Sequence, residues 1–297
     1  MPRPPGRVGS IDRIPPAVFS PVGQPLAGTR DLVPLNVGDT WMPPLEGARM
    51  QDLLEADHPE LHRYTDPRGL PALLEGVTEK LRERNGIDCD PASVVITAGA
   101  TGALACAVAS CVEPGEEVLI LAPFWPLIRG IVHTFRGRPV EVPFFDRVGS
   151  ADDAVAAVEA KLSSRTVALY VSTPSNPTAR VLPEEWLVRL AELARRENLW
   201  LFSDEVYEDF VYRGKHVSLA RFAPERTVSV FSFSKAYGMA GHRVGYLCAP
   251  PELASAAEKV VTHTCYQAPT AAQFAALRAL ELGGAWLQRA RRSYPQA

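Results

Sequence analysis

The chain has 297 residues, 46% hydrophobic and 22% charged, which is enough to bury a sizeable core and too apolar for a disordered protein. Its 31 basic and 34 acidic residues leave a net charge of −3, which disfavours nucleic acid or an anionic membrane surface as the main partner. Cys89, Cys106, Cys111, Cys248 and Cys265 form no C-x-x-C pair and no cluster with histidine; with no membrane-length apolar run and no signal-peptide core at the start, a cytoplasmic protein with reduced thiols is expected.

Residues 1–45 are rich in Pro and Gly and read as an extended arm, with "LNVGDTW" (35–41) as an ordered turn; residues 46–297 read as one large domain. "ALLEGVTEKLRERNG" (72–86) has helical apolar spacing, late basic residues and a glycine stop. "SVVITAG" (93–99) is a β-branched strand, "ATGALACAVASCV" (100–112) a small-residue helix, and "EEVLILAP" (116–123) a second strand. Further strands are "TVALYVSTP" (166–174), "LWLFSDE" (199–205), "TVSVFSFS" (227–234) and "VGYLCAP" (244–250), with helices at about 151–163 and 183–198 between them. Alternating helices and near-continuous apolar strands predict an α/β fold, a mostly parallel central sheet covered by helices on both faces.

In such a sheet a ligand binds beyond the carboxyl ends of the strands. Polar segments stand there in this sequence: "TAGATGA", "STPSNPTAR", "SDEVYEDF" and "SFSKAYG" each follow a strand. "GATGAL" (99–104) offers backbone N–H groups at a helix start, which suits a phosphate, but it is not a P-loop because no G-K-[ST] follows. Taken singly, each residue has a plainer reading. Asp204 could cap a helix, Asn176 could order the turn before Pro177, Arg243 could form a surface ion pair, and Trp125 could be core. Taken together they suit one ligand, an aldehyde-bearing phosphorylated pyridine. Lys235 would form a Schiff base, Ser, Thr and Arg would take the phosphate, Asp the ring nitrogen, Asn and Tyr the ring oxygen, and an aromatic ring one face. That ligand is pyridoxal 5′-phosphate. A Rossmann oxidoreductase is disfavoured because no G-x-G-x-x-G follows a strand.

From about residue 30 onward the sequence resembles the fold type I, class I/II aminotransferases of the aspartate aminotransferase superfamily. The resemblance rests on "SFSKAYGMAGHRVGY" (232–246), "SNPTAR", "DEVY" and "YTDPRGL" in that family's lysine, asparagine, aspartate–tyrosine and tyrosine segments. It implies that Lys235 holds the cofactor and moves the substrate's α-proton, that Asp204 keeps the ring nitrogen protonated, and that Asn176 and Tyr207 bond the ring oxygen. It implies Trp125 stacked on the ring and Ala100, Thr101, Ser232, Ser234 and Arg243 at the phosphate. Tyr64 is implied to reach the phosphate of a partner subunit, hence a homodimer with shared sites. Gly38, with Trp125 and Asn176, is implied to meet the substrate, an amino acid or a 2-oxo acid. No metal is implied.

Three departures accompany the resemblance. Ala179 stands where the family has glycine; if that turn needs a positive φ, alanine costs about 1 kcal/mol there. The family's C-terminal small domain, with its carboxylate-gripping arginine, has no counterpart before Ala297, so that domain is expected to be largely absent. "VTHTCYQAP" (261–269) offers His263 but no arginine, which disfavours an acidic substrate. Amino transfer is the expected reaction. Elimination or other α-carbon chemistry on the same cofactor, or an impaired binding protein, remain the alternatives.

Overall fold

The computed structural model describes residues 8–15, 38, 40 and 42–294. The arm expected over 1–45 therefore lies mostly outside the described residues, as does most of "LNVGDTW".

Seven strands form one sheet: β1 (Val94–Thr97), β2 (Glu117–Ala122), β3 (Arg138–Pro143), β4 (Thr166–Ser172), β5 (Trp200–Asp204), β6 (Thr227–Ser232) and β7 (Gly245–Cys248). Their order is β1-β7-β6-β5-β4-β2-β3. All neighbours run parallel except β7, which is antiparallel to both β1 and β6. The mostly parallel sheet expected from the sequence is thus the observed one. β3 is the strand the pattern did not suggest. Its sequence "RPVEVP" carries two prolines, which cannot donate to a ladder, and it survives because it is an edge strand bonded on one side only.

Both faces of the sheet are covered. Sequence signals mark the ends of three of the helices, those that begin at Pro71, Ala151 and Glu184. α1 (Pro71–Lys80) opens with proline at its first position and runs into a π-helical turn, Leu81–Asn85, stopped by Gly86 at φ 65°. α2 is Gly99–Cys111 and α3 is Leu127–Thr134. α4 (Ala151–Glu159) is capped by Ser150, whose side chain accepts from the Asp153 N–H at 3.1 Å. α5 (Glu184–Arg196) has acidic residues in its first turn and basic ones in its last, matching the helix dipole. The short α6 (Phe233–Ala236) follows β6, and α7 (Pro251–Thr264), α8 (Thr270–Leu282) and α9 (Gly284–Ser293) end the chain.

Strand alternation divides the core. Leu169 and Val171 of β4 pack with Leu187 and Leu190 of α5 on one face. Ala168 and Tyr170 of the same strand pack with Leu104 of α2 on the other. A third cluster joins α1, α8 and α9 to β1 and β7 through Leu73, Val77, Ala276 and Trp286.

The register fixes where the chemistry lies. Thr97 at the end of β1 and Ser232 at the end of β6 both pair with Gly245, which opens β7. Ser172 pairs with Asp204, and Asp204 with Val230, one step back along β6. The ends of β1, β4, β5 and β6 thus share one rim.

Candidate active site

A cavity of about 340 Å³ opens at that rim. Its lining holds Ala100 and Thr101 from α2, Trp125 after β2, Asn176 after β4, Asp204 and Tyr207 at the end of β5, and Ser232, Ser234, Lys235 and Arg243 after β6, with Gly38 across them. The structure therefore brings together every candidate named from the sequence except Tyr64. Tyr64 stands apart, 80% exposed, its ring 4.7 Å from that of Tyr266. The backbone beside it is held by the Thr65 N–H donating to Gln267 Oε1 at 2.6 Å. His263 is exposed on α7 and bonds its own helix, with Nδ1 2.8 Å from the Lys259 carbonyl oxygen.

At one end of the cavity the backbone makes a cradle for an anion. The residue before α2 is Ala98, which gives the helix no side-chain cap, so the N–H groups of its first turn face the rim without one. Gly99 has φ 72°, and a methyl group there would overlap the Arg243 guanidinium. A methyl on Gly245 would lie 2.7 Å from the Ala100 nitrogen. Both glycines let backbone and guanidinium close in. Arg243 donates to the carbonyls of Ala240 at 2.9 Å and Ala98 at 3.3 Å. Ser232 caps α6 by accepting from the Ser234 N–H at 3.0 Å.

At the other end, Asp204 is 5% exposed. Burial pushes its carboxyl up to about 6; the Tyr170 hydroxyl and the Val206 N–H oppose the rise, and the Glu205 charge adds to it. Tyr170 donates to Oδ2 at 2.6 Å and Val206 N–H to Oδ1 at 3.4 Å. Those partners are neutral, so the site favours a protonated donor entering from the cavity. The Asn176 amide donates to the Tyr207 hydroxyl at 3.4 Å. Burial, helped by the Asp204 charge, holds that phenol above its ordinary value. Lys235 Nζ donates to the Gly38 carbonyl.

Behind Asp204 lies a network that the sequence did not suggest. Glu205, fully buried, accepts from Ser218 Oγ at 2.6 Å and Ser203 Oγ at 2.9 Å and pairs with His216 Nε2 at 2.8 Å. Glu208 pairs with Lys80 and accepts from Asn85 Nδ2 at 2.6 Å. Glu205, Glu208 and His216 come close enough to share a cation, but the Lys80 ammonium already sits on Glu208, and the cluster is an internal ion network. Tyr170 also escaped the sequence reading, because within "TVALYVSTP" it looks like a core strand residue.

Comparison with known proteins decides the family. The family model described as aminotransferase class I and II matches residues 30–293. This chain belongs to that family. Its members use pyridoxal 5′-phosphate, as the motifs implied. A probable aspartate/prephenate aminotransferase from Thermus aquaticus is 39% identical over 235 residues, which cover 78% of this chain and 61% of the relative. An aromatic-amino-acid aminotransferase 2 from Thermococcus litoralis is 36% identical, with 79% of this chain and 61% of the relative covered. The chain thus spans about three fifths of the length of these curated relatives. Among solved structures, aspartate aminotransferase from Thermus thermophilus with maleate superposes with a TM-score of 0.90 at 32% identity, covering 98% of this chain and 78% of that one. Among the described residues, no helix is long and apolar enough to cross a membrane.

Proposed function

We propose that the chain transfers an amino group between an amino acid and a 2-oxo acid with bound pyridoxal 5′-phosphate. The observation that carries this reading is that one cavity holds Lys235 between an anion cradle and a buried carboxylate. The cradle fits a phosphate because Gly99 and Gly245 clear the space a side chain would fill. The carboxylate fits a protonated pyridine because Asp204 is buried among neutral donors, where a cationic partner relieves the cost of its charge. Tyr207 and Asn176 fit a phenolic oxygen between these ends.

When bound, the cofactor supplies an electron sink for the bonds at an amino acid's α-carbon. The residues of the chain do the rest. The first-turn N–H groups of Ala100 and Thr101, the Ser232 and Ser234 hydroxyls and Arg243 hold the phosphate and so fix the ring's position. Asp204 would keep the ring nitrogen protonated, and Trp125 would cover a ring face. Asn176 and Tyr207 hold the ring oxygen. Lys235 Nζ would be the attachment point for the cofactor, and the same amine is the cavity base that would carry a proton to and from a substrate's α-carbon. Gly38 places its backbone beside Lys235 and Tyr207, where a substrate carboxylate would lie.

Further parts of the reading rest on the resemblance. Tyr64 serves a second copy of the chain, in a homodimer with shared sites, and the exposed Tyr64 side chain supports this. A cytoplasmic location rests instead on the five cysteines, all free, which suit a reducing compartment. The relatives are named for aspartate, prephenate or aromatic amino acids, so the side chain of this substrate is left open and amino transfer is what they share. The test is direct. Protein incubated with pyridoxal phosphate should gain a visible absorption band that Lys235→Ala lacks. A panel of amino donors should each be assayed for the matching 2-oxo acid. More than one equivalent of product per site without a 2-oxo acid acceptor would favour elimination, and a band that no donor shifts would contradict catalysis.

A further inference from the structure

We propose that Tyr170 is a positioning residue that holds Asp204 as an oriented anion, so that a proton shared with a bound pyridine stays on the ring nitrogen. The inference rests on the cofactor reading above but concerns a residue outside the cavity lining. Tyr170 lies on β4 and Asp204 on β5. Tyr170 pairs in register with Phe202, and Ser172 with Asp204, so Tyr170 sits two residues back and diagonal to the aspartate on the same sheet face. A short side chain there could not span the diagonal, whereas a tyrosine reaches it, and its hydroxyl donates to Asp204 Oδ2 at 2.6 Å.

The ring itself has no freedom. Tyr170 is fully buried, packed within the cluster that includes Leu104, Phe202, Val228 and Val230. A phenol in such a place would be an unsatisfied polar group without its acceptor, so the core and the site impose the same geometry. The Val206 N–H takes the other carboxylate oxygen, Oδ1, at 3.4 Å. One donor on each oxygen stops rotation of the carboxylate and leaves each oxygen acceptor capacity for a donor from the cavity.

The chemistry follows from proton affinity. Two groups sharing a proton divide it according to their basicities. A strong hydrogen bond to the anion lowers the basicity of Asp204, and the proton is left on the ring. The charge of Glu205 acts in the opposite sense, raising the basicity of Asp204. Tyr207, whose own phenol is held up by burial and, in second place, by the Asp204 charge, lines the cavity beside it. Without the Tyr170 hydroxyl, burial and Glu205 would act with less opposition, and the proton would move toward the carboxylate.

The test uses Tyr170→Phe, which keeps the packed ring and removes one oxygen. In the ligand-free chain, a carbon-13 titration of the Asp204 carboxyl should show proton affinity raised about ten-fold in the variant. With ring-labelled pyridoxal phosphate bound, the nitrogen-15 signal should be that of a protonated ring in wild type and should move toward the unprotonated position in Tyr170→Phe. A residue that only fills space would lower stability and leave both signals unchanged, and that result would overturn the proposal. If Tyr170→Phe does not fold, the wild-type chain decides. The Tyr170 hydroxyl proton should appear as a slowly exchanging resonance whose position follows the Asp204 titration, and its failure to do so would refute the coupling. Wild-type protein that takes up no pyridoxal phosphate would remove the cofactor reading separately, with Tyr170 still judged by the ligand-free titration.

Discussion

Arg243 packs its guanidinium directly over the Cα of Gly99, leaving no room for even a methyl group between them. The contact joins the loop after β6 to the first turn of α2, and both sides serve the anion cradle. Gly99→Ala should therefore strain a backbone at φ 72° and displace Arg243 at once. We expect affinity for pyridoxal phosphate to fall at least ten-fold, measured by equilibrium dialysis, with the rest of the fold intact by circular dichroism. Unchanged affinity would mean that the phosphate does not lie there.

Asp204 illustrates a conflict between stability and function. Its carboxyl is pushed up to about 6 by burial, against an ordinary 3.8. The folded chain then binds the proton more tightly than the unfolded one. The favourable protonated state is fully present below pH 3.8 and lost as pH rises through about 6. At pH 8 the ligand-free protein carries an ionised buried group at a cost of order 3 kcal/mol. Asp204→Asn should make the ligand-free chain more stable in urea at pH 8 by about 1–3 kcal/mol, with the gap narrowing below pH 6 and closing only near pH 4, while amino transfer drops by a factor of about 10² or more. A destabilised variant at pH 8 would contradict the assignment.

The Glu205–His216 pair should leave its mark on the pH–stability curve. Burial pushes Glu205 upward, but His216, Ser218 and Ser203 outweigh it and hold the carboxyl below its ordinary value. Burial pulls His216 down, and Glu205 outweighs it and holds the imidazole above its ordinary value. The glutamate's contribution is present above pH 4.5 and lost as pH falls through its lowered value. The histidine's is present below pH 6.5 and lost as pH rises through its raised value. Removing one partner with Glu205→Gln should cost about 3–5 kcal/mol between these limits and less on either side. A cost independent of pH would show that the pair is not ionised in the fold.

Ala179 occupies the left-handed region, with φ 56°, in the turn closed by its N–H donating to the Ser175 carbonyl at 2.7 Å. The strain expected from the sequence at this position is present. Ala179→Gly should raise the free energy of unfolding by about 0.5–1 kcal/mol, the relief of strain exceeding the extra entropy of glycine in the unfolded chain. Chemical denaturation checks the sign, and a loss of stability would refute it.

What the sequence showed, and what it hid, follows from how each residue acts. Lys235, Asp204, Asn176 and Arg243 were legible because they stand at strand ends, where polar side chains are costly unless used, and because their types suit different atoms of one ligand. Tyr170 was hidden because its role depends on register between β4 and β5, which no local pattern displays. The Glu205–His216 pair was hidden for a related reason, since the partners are 11 residues apart and meet only through a loop. The six strands named from apolar runs are all present, each trimmed by one or two residues at one end or both. β3 and the helices α3 and α6–α9 were not named. In β3, prolines break the pattern, and in α8 the run "TAAQFAAL" has so many small residues that its apolar face is poorly marked.

The central claim is that Lys235 is the attachment point for pyridoxal phosphate. Borohydride reduction of the loaded protein, followed by digestion and mass spectrometry, tests it most directly. The account predicts a reduced pyridoxyl-phosphate adduct on the peptide containing Lys235, absent in Lys235→Ala. An adduct distributed over surface lysines, or the same labelling in wild type and variant, would contradict it.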